Sequence, residues 1–454
     1  MSNDKNFMDL TNNDTYISSC LKFVKNSLSN YKDIGKIKES QEEINAYDNL
    51  KFIEPPSNVF IMDKIKENEI LRAKKCIIEG KFFSEHTAAG EATRLGLGTK
   101  YLINISKDLS DTKIAKLISE EKKIHVSDEE IINESGCKSN ELLNLSLGSR
   151  HMIQFSFDIY QVAKEMNVNP YDTLQKQKML IILNETTCEK IIAEFVKYNY
   201  FGFSRENVYF MVQNSYHGFN HTNDGFEYDK ESPKRLHNHG QMVMQQTMDD
   251  QIFNIDTNGS KIYFKAVDFG EILKGMDDKQ SFNIEDLGFL TSAIDYESLA
   301  LALSKSDEGF RMVMEIVANN PSNPQKGGMA TFDKKLQRNV MIEAFQLKGI
   351  KNSDIKFLNK NFNHYPKPYE SWIELKKKGL NMSIDIKNEY VYFQPVQGDI
   401  NFLVKTEFVQ RKILKPILAW KTSATTPLTI KCMRKQDLQD GFLDYVKKMM
   451  KVEI

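Results

Sequence analysis

A loop rich in small residues, from residue 87 to residue 101, has the composition of a phosphate-binding loop. It reads Thr-Ala-Ala-Gly-Glu-Ala-Thr-Arg-Leu-Gly-Leu-Gly-Thr-Lys-Tyr. Backbone N–H groups can close on an anion only where side chains are small, and Ala89 and Gly90 meet that need. Arg94 and Lys100 add mobile positive charge for the outer phosphates. An ordinary turn before a helix is the alternative, because the spacing matches neither a Walker A loop nor a dinucleotide fingerprint.

The segments around this loop predict a mostly parallel sheet with helices on both faces. A short apolar run at 81–83 predicts the strand that leads into the loop, and the continuous apolar run at 178–183 is typical of a buried parallel strand. Residues 207–213 predict the next strand. The helix between these two strands should bury one apolar face, formed by Ile191, Ile192, Phe195 and Val196. Ligands of such sheets bind at the carboxyl ends of the strands, where the loop and Gln213 should lie.

The rest of the chain divides into three predicted parts: an N-terminal helical segment (1–79), a catalytic nucleotidyltransferase domain (80–365) and a small C-terminal α+β domain (366–454). Two helices should flank the Pro-Pro break at 55–56, the second over 62–78. The predicted strands in the later part of the chain are 262–267, 311–318, 339–346 and 390–394. Residues 105–145 predict a helical insertion. Ser84, Glu85 and His86 are unusually polar for a buried strand, a conflict that often marks function.

Composition excludes several classes of protein. The 454 residues carry a formal net charge of −1, which argues against a surface that binds nucleic acid. No apolar stretch is long enough for a membrane span or resembles a signal peptide, so a cytoplasmic location is expected. The cysteines are odd in number and widely scattered, as expected of free thiols in a reducing compartment; they are Cys20, Cys76, Cys137, Cys188 and Cys432.

Six segments occur in the order found in one enzyme family. They are Gly80-Lys81 with the loop up to Lys100, the run from Asn199 to Gln213, the run from Asn283 to Gly288, Lys326-Gly327-Gly328 followed by Glu343, the run from Phe357 to Asn361, and Ala419-Trp420-Lys421-Thr422. Together they resemble the UDP-sugar pyrophosphorylase family, the UTP-dependent sugar-1-phosphate uridylyltransferases. The resemblance extends from about Gly80 to Leu428.

This resemblance implies a Rossmann-like, glycosyltransferase-A-like α/β nucleotidyltransferase fold with a mixed, mostly parallel central sheet. It also implies a reaction in which a sugar-1-phosphate oxygen attacks the α-phosphate of UTP and releases pyrophosphate. The sugar would be glucose 1-phosphate or an N-acetylhexosamine 1-phosphate. Catalysis of this kind depends on positioning and charge neutralisation, with Mg²⁺ as the implied cofactor.

The resemblance also assigns roles to individual residues. Its nucleotide-binding positions are Ala89, Gly90, Glu91, Gln213 and Gly240, the last leaving room beneath the uracil. Its catalytic positions are Arg94, Lys100 and Lys421. Its sugar-phosphate positions are Glu343, Asn359, Asn361 and Lys326. Its metal ligands are Glu285 and Asp286.

Two departures from the family pattern leave an alternative open. Ala92 stands where the family loop has glycine, and Glu285 stands where the family has aspartate. A diverged, weakly active or inactive nucleotide-binding homologue with a regulatory role is therefore the competing prediction. Without the resemblance, Glu285 and Asp286 would be read as a helix N-terminal pair and Lys421 as a solvated lysine. The short sequence after Lys421 leaves little room for the C-terminal β-helix that some relatives use to oligomerise, so a monomer is favoured.

Four histidines present a second alternative. They lie within one short stretch with His-x-x-x-His and His-x-His spacing, at His217, His221, His237 and His239. A zinc site would need them to converge. The surrounding residues are rich in turn formers, which favours polar loop residues at the rim of a nucleotide cleft.

Overall fold

The computed structural model describes residues 16–90, 96–413 and 418–450, apart from the side chains of residues 361 and 450. The helices are α1 Tyr16–Ser27, α2 Ile34–Glu39, α3 Gln41–Asn45, α4 Glu67–Ile78, α5 Ile105–Asp108, α6 Asp111–Lys122, α7 Asp128–Ser135, α8 Leu147–Glu165, α9 Pro170–Lys176, α10 Cys188–Lys197, α11 Asn238–Gln245, α12 Ala266–Lys274, α13 Tyr296–Asp307, α14 Pro368–Lys378, α15 Thr426–Asp437 and α16 Phe442–Met450.

The strands are β1 Ile53–Glu54, β2 Phe60–Met62, β3 Phe82–Thr87, β4 Lys178–Asn184, β5 Val208–Gln213, β6 Phe219–Thr222, β7 Gly225–Tyr228, β8 Ile252–Ile255, β9 Lys261–Tyr263, β10 Asp278–Asn283, β11 Met312–Ala318, β12 Met329–Asp333, β13 Arg338–Ile342, β14 Phe357–Pro366, β15 Ile384–Lys387, β16 Tyr390–Phe393 and β17 Thr406–Arg411.

A mixed central sheet organises the fold. Its main path runs β2-β17-β11-β14-β10-β3-β4-β5-β8-β9, and the hairpin β12-β13 joins it through β14. The four strands β10, β3, β4 and β5 run parallel, whereas β14 is antiparallel to both of its neighbours on the path. A second sheet has the order β15-β16-β6-β7. The predicted fold class, an α/β protein with a mixed sheet whose centre is parallel, is confirmed.

Helices cover both faces of this sheet, as the continuous apolar run at 178–183 predicts. Alternate residues of β4 enter different cores: Ile181 packs into the core that includes α4, α8 and α10, whereas Leu180 and Ile182 pack into the core formed with α12 and α14. A strand buried on both sides cannot alternate apolar with polar residues. The predicted strand-helix-strand unit is therefore confirmed as β4-α10-β5.

The polar residues of β3 are buried but satisfied by other residues of the chain. Glu85 forms an ion pair with Lys279 at 2.8 Å and accepts a hydrogen bond from Gln246. Burial by itself raises the pKa of Glu85, but the charge and hydrogen bond of Lys279 outweigh it, so its pKa is lowered. The His86 ring lies within hydrogen-bonding distance of Ser84 and His151. Their polarity therefore has a structural reason.

Several predicted boundaries were wrong. The predicted strand 262–267 ends at Tyr263, because a capping box formed by Lys265 and Asp268 starts helix α12 there. The helix predicted over 62–78 begins only at Glu67, after strand β2. Val196 is 55% exposed and does not share the buried face of α10. The charged C-terminus of α14 ends at Gly379, whose φ of 71° favours glycine.

The central sheet takes strands from all three of the predicted parts of the chain. Strands β1 and β2 come from residues before 79, and β17 comes from residues after 366. The division into three parts stays a prediction. Within the described residues, no helix is both long and apolar enough to cross a membrane.

Candidate active site

The carboxyl ends of four parallel strands meet at one edge of the central sheet. The last residue of β3, Thr87, pairs in register with Asn283 of β10, and the last residues of β4 and β5, Asn184 and Gln213, pair with each other. The loop after Thr87 and the acidic residues after Asn283 therefore leave the sheet side by side. The predicted position of the loop and of Gln213 is confirmed.

Asn184 anchors the start of the loop. Its side-chain nitrogen donates a hydrogen bond of 3.0 Å to the carbonyl oxygen of Ala89. Its side-chain oxygen accepts hydrogen bonds from the backbone N–H groups of Thr186 and Thr187, at the entry to α10. The backbone N–H of Lys100 donates to the carbonyl of Gly90 and closes the loop at its other end. Glu91, Ala92 and Arg94 lie outside the described residues.

Gln213 connects the sheet to helix α11. Its side-chain nitrogen donates to the carbonyl of Asn238 at 3.0 Å, and the nearby Gln241 donates to the carbonyl of Asn214 at 2.7 Å. Gly240 lies on the buried side of this helix. A Cβ there would stand 2.3 Å from the carbonyl carbon of Pro395, so only glycine permits the close approach of the helix to that backbone. A role of Gly240 beneath a base stays a prediction.

A carboxylate between two lysines lies at the centre of this edge. Glu285 forms an ion pair with Lys100 and approaches the Nζ of Lys421 with its other oxygen, at 3.7 Å. The backbone carbonyl of Glu285 accepts a hydrogen bond from the N–H of Trp420, which places Lys421 beside the acidic turn. The lysines come from segments 321 residues apart in sequence, so the fold brings these predicted catalytic groups together.

Asp286 caps a short turn with one of its two carboxylate oxygens. Its Oδ1 accepts the backbone N–H of Gly288 at 2.9 Å, as the cap of the short 3-10 turn Leu287–Leu290. Among the described residues, its Oδ2 has no hydrogen-bond partner. Burial raises the pKa of Asp286, and the negative charge of Glu285 adds to this, while the N–H of Gly288 and the charges of Lys360 and Lys421 act against it.

The predicted sugar-phosphate residues gather around hairpin β12-β13 and strand β14. The N–H of Asn359 donates to the carbonyl of Gly328 at 2.8 Å. A Cβ on Gly328 would lie 3.5 Å from Oε1 of Glu343, so these three residues are neighbours. Burial raises the pKa of Glu343. Lys326 is exposed at the entry to the hairpin, and Asn361 follows in β14.

Lys360 lies between these two groups of residues and was not identified from the sequence. It forms a 2.6 Å ion pair with Glu315, which in turn binds Arg411. Lys360 also acts electrostatically on Asp286, as noted above. Its alternation with Asn359 along a strand is the sequence signal that would have placed it on the opposite face of β14.

A cavity of about 780 Å³ opens beside the distal half of the loop. Its lining comprises residues 96–99 of the loop, Leu102 and Ile103, the hydroxyl residues Thr186 and Thr187 at the entry to α10, two lysines, Lys113 and Lys190, and one acidic residue, Asp108. Basic and hydroxyl groups around a cavity favour an anionic ligand.

The four histidines have separate partners. His217 contacts the carbonyl of Ser232 at 2.5 Å, His237 contacts the hydroxyl of Tyr16 at 2.9 Å, and His239 accepts the N–H of Gln397. The ring of His221 packs against Phe226. Across the part of the chain that the structure describes, no three or more His, Cys, Asp or Glu residues are placed to hold a metal ion together.

Comparison with known proteins identifies the fold. By sequence, neither a protein-family profile nor a curated protein matches the chain. Solved structures do match. The UDP-N-acetylglucosamine pyrophosphorylase of Trypanosoma brucei, in complex with an inhibitor, superposes with a TM-score of 0.59 at 12% identity, over 93% of this chain and 80% of that one.

Two variants of UDP-glucose pyrophosphorylase from Leishmania major are also similar. One superposes with a TM-score of 0.54 over 90% of this chain and 77% of that one, at 12% identity. The other, in complex with UDP-glucose, superposes with a TM-score of 0.51 over 92% of this chain and 79% of that one, also at 12% identity. The resemblance found in six sequence segments is thus confirmed at the level of the fold. The chain has the fold of the UDP-sugar pyrophosphorylases.

Proposed function

We propose that the protein is a Mg²⁺-dependent UTP:sugar-1-phosphate uridylyltransferase. The observation that carries this proposal is the convergence of Lys100, Glu285 and Lys421 at the carboxyl edge of a sheet with the pyrophosphorylase fold. Two ammonium groups at the edge where a phosphate-binding loop begins are suited to a polyphosphate. The similar structures are UDP-sugar pyrophosphorylases, which supports the same class of reaction for this protein.

In the proposed reaction, an oxygen of the sugar 1-phosphate attacks the α-phosphorus of UTP. A new phosphoanhydride bond forms, the bond between the α- and β-phosphates breaks, and pyrophosphate leaves with the electron pair. Lys421 neutralises the attacking and α-phosphates, while Lys100 and Arg94 neutralise the departing pyrophosphate. The backbone at Ala89, Gly90 and Glu91 and the side chain of Gln213 hold the base, with Gly240 close by. Little covalent help is needed, because positioning and charge neutralisation account for catalysis of this type.

The two carboxylates after β10 fit the proposed cation. Mg²⁺ is commonly bound by one or two carboxylates together with substrate phosphates and water, and Asp286 offers an oxygen without a partner among the described residues. Glu285 would become the second ligand once Lys100 and Lys421 turn from it to the phosphates. When bound, Mg²⁺ supplies charge neutralisation for the phosphates.

The sugar moiety would lie against Glu343, Asn359 and Asn361, with Lys326 at the rim. Their carboxyl and amide groups can donate to and accept from sugar hydroxyls. Glucose and N-acetylhexosamine 1-phosphates are the proposed substrates.

Pyrophosphate release tests the proposal. The protein would be incubated with Mg²⁺, UTP and each of the 1-phosphates of glucose, galactose, N-acetylglucosamine and N-acetylgalactosamine. We expect release that requires both UTP and one of these sugars, and no release with ATP, CTP or GTP. If none of the four sugar 1-phosphates leads to pyrophosphate release and the protein still binds UTP tightly, the result would instead support a regulatory nucleotide-binding homologue.

A further inference from the structure

A buried carboxyl group lies behind the proposed sugar site without a partner of its own. The Asp399 residue is 1% exposed, and among the described residues neither of its carboxyl oxygens makes a hydrogen bond. A buried polar group without a partner is costly, and a buried charge more so. The carboxyl group of Asp399 is therefore expected to be either protonated or bound to a ligand.

Two hydrogen bonds hold the turn that contains Asp399 against the strand that leads into Glu343. The side chain of Asn401, in the same turn as Asp399, accepts the N–H of Met341 at 2.9 Å and donates to its carbonyl at 3.0 Å. This fixes the turn against the end of β13, which leads directly into Glu343. The contact is close: a Cβ on Gly398 would lie 3.6 Å from Oε1 of Glu343.

No cation among the described residues neutralises this pair. On β13, Arg338 donates instead to the carbonyl of Phe402, and on β14, Lys360 is paired with Glu315. Lys326, before β12, is exposed. Two neutral polar groups are also close to the pair: the backbone N–H of Ala344 beside Glu343, and the side-chain amide of Gln346. Its oxygen accepts the N–H of Glu343 at 3.0 Å, and its nitrogen also lacks a hydrogen-bond partner among the described residues.

Burial and the neighbouring charge of Glu343 hold the pKa of Asp399 well above its ordinary value. The amide of Gln346, which is near Asp399 but outside hydrogen-bonding geometry, acts in the opposite direction. Burial also raises the pKa of Glu343. Two carboxyl groups that interact in a buried site titrate as a pair, and the second proton is lost only at a higher pH than for either alone.

We propose that Asp399 and Glu343 share one proton at neutral pH, so that Glu343 donates as well as accepts a hydrogen bond to the sugar of the sugar 1-phosphate. Asp399 is then a positioning residue that acts through Glu343. The pair selects a neutral hydroxyl or amide group and disfavours a sugar that carries a carboxylate. This inference rests on the proposed function, because that function places the sugar at Glu343.

The pH dependence of KM tests the role of the pair. KM for the sugar 1-phosphate would be measured from about pH 6 to about pH 9 in the wild type and in Asp399→Asn. In the wild type, KM should rise by up to about tenfold per pH unit once the shared proton is lost. In Asp399→Asn the rise should begin at lower pH, because the second carboxyl is gone, while KM for UTP should be the same in both proteins. Identical sugar profiles would overturn the inference.

Infrared spectroscopy tests the shared proton without turnover. At neutral pH the spectrum of the wild type should contain a protonated-carboxyl band that is missing from Asp399→Asn but present in Asp385→Asn, a control in strand β15. Absence of a difference would overturn the inference regardless of activity. The infrared band could also be present in the wild type and absent from Asp399→Asn while the wild type turns over no sugar 1-phosphate. That result would support the shared proton, but it would contradict the proposed function and the role of the pair in sugar binding.

Discussion

The ammonium group of Lys421 lies 3.7 Å from a carboxylate oxygen of Glu285, and the same carboxylate pairs with Lys100. The lysine that the proposed reaction requires is thus held beside the proposed phosphate-binding loop by an acidic residue from the turn after β10. One carboxylate thus faces two ammonium groups, and we propose that substrate phosphates take its place beside them.

Replacement of Lys421 by alanine should abolish turnover and leave the fold intact. The side chain is 56% exposed, so little packing is lost, whereas the phosphates lose a neutralising charge. We expect kcat to fall by a factor of about 100 or more. Steady-state kinetics and thermal unfolding would measure the two effects. Lys412→Ala removes a similarly exposed lysine, paired with Asp63, and is the matched control. Equal rates in the two variants would refute the role of Lys421.

Replacement of Asp286 by asparagine should raise the Mg²⁺ concentration needed for half-maximal activity. The amide can still accept the N–H of Gly288, so the turn is preserved, but one charged oxygen ligand is lost. A shift of about tenfold or more is expected from the loss of a charged ligand to a hard cation. Titration of activity with Mg²⁺ would measure it, and Asp63→Asn is the control. An unchanged Mg²⁺ dependence would remove Asp286 from the metal site.

Replacement of Gly240 by alanine should disturb both stability and UTP binding. The new methyl group would collide with the backbone of Pro395, so α11 must shift, and this helix accepts the hydrogen bond of Gln213. Overpacking of this kind typically costs about 1–3 kcal/mol of the free energy of unfolding. Chemical denaturation and KM for UTP would report the two effects. The control is Gly275→Ala. Gly275 caps the end of helix α12, and a Cβ there would meet no atom closer than 3.5 Å, so this variant should have nearly the stability of the wild type. A Gly240 variant as stable as this control would contradict the packing argument.

Acid should destabilise the protein partly through the buried histidine pair formed by His86 of β3 and His151 of α8. Burial lowers the pKa of His151 to about 4, and burial followed by the nearby His151 lowers the pKa of His86 well below its ordinary value. A histidine whose pKa is depressed in the folded state contributes stability above its unfolded pKa of about 6.5, and this contribution is lost as the pH falls towards the folded value.

The free energy of unfolding contributed by His151 should therefore fall by about 3 kcal/mol between about pH 6.5 and about pH 4. Denaturation at several pH values would show a shallower decline in His151→Gln than in the wild type. His125→Gln, at an exposed position, serves as the control and should follow the wild type. Parallel curves for wild type and His151→Gln would show that this histidine does not titrate on unfolding.

The sequence predicts the centre of this fold better than its edges. The apolar run of β4 and the pattern of α10 are local signals, and both elements formed as expected. The helix α12 was missed because its start depends on the capping of Lys265 by Asp268, which competes with an apolar strand pattern. The charge of Glu85 within a buried strand suggested a functional role. Instead, Glu85 forms an ion pair with Lys279 of the neighbouring strand β10, and this pairing depends on the order of strands in the sheet.

In the candidate site, too, local features could be predicted from the sequence, whereas contacts between distant segments could not. The loop and Lys100 could be selected from residue types, because small residues and a lysine have a direct chemical meaning. Relationships between distant segments, such as the ion pair of Glu285 with Lys421 and the electrostatic effect of Glu343 on Asp399, depend on how the strands are ordered and on where turns pack. The sequence predicted that Gly240 leaves room for a base. In the structure, a Cβ at this position would collide with the backbone of Pro395, which lies 155 residues further along the chain.

Transfer of the α-phosphate is the most direct test of the central claim. UTP labelled at the α-phosphate would be incubated with Mg²⁺ and each sugar 1-phosphate, with wild-type protein and with Lys421→Ala, and the products would be separated. We expect the wild type to transfer the label into a UDP-sugar and to release one equivalent of pyrophosphate, and we expect no transfer by Lys421→Ala. A wild-type protein that binds UTP but forms no labelled UDP-sugar from any of these sugars would contradict the central claim.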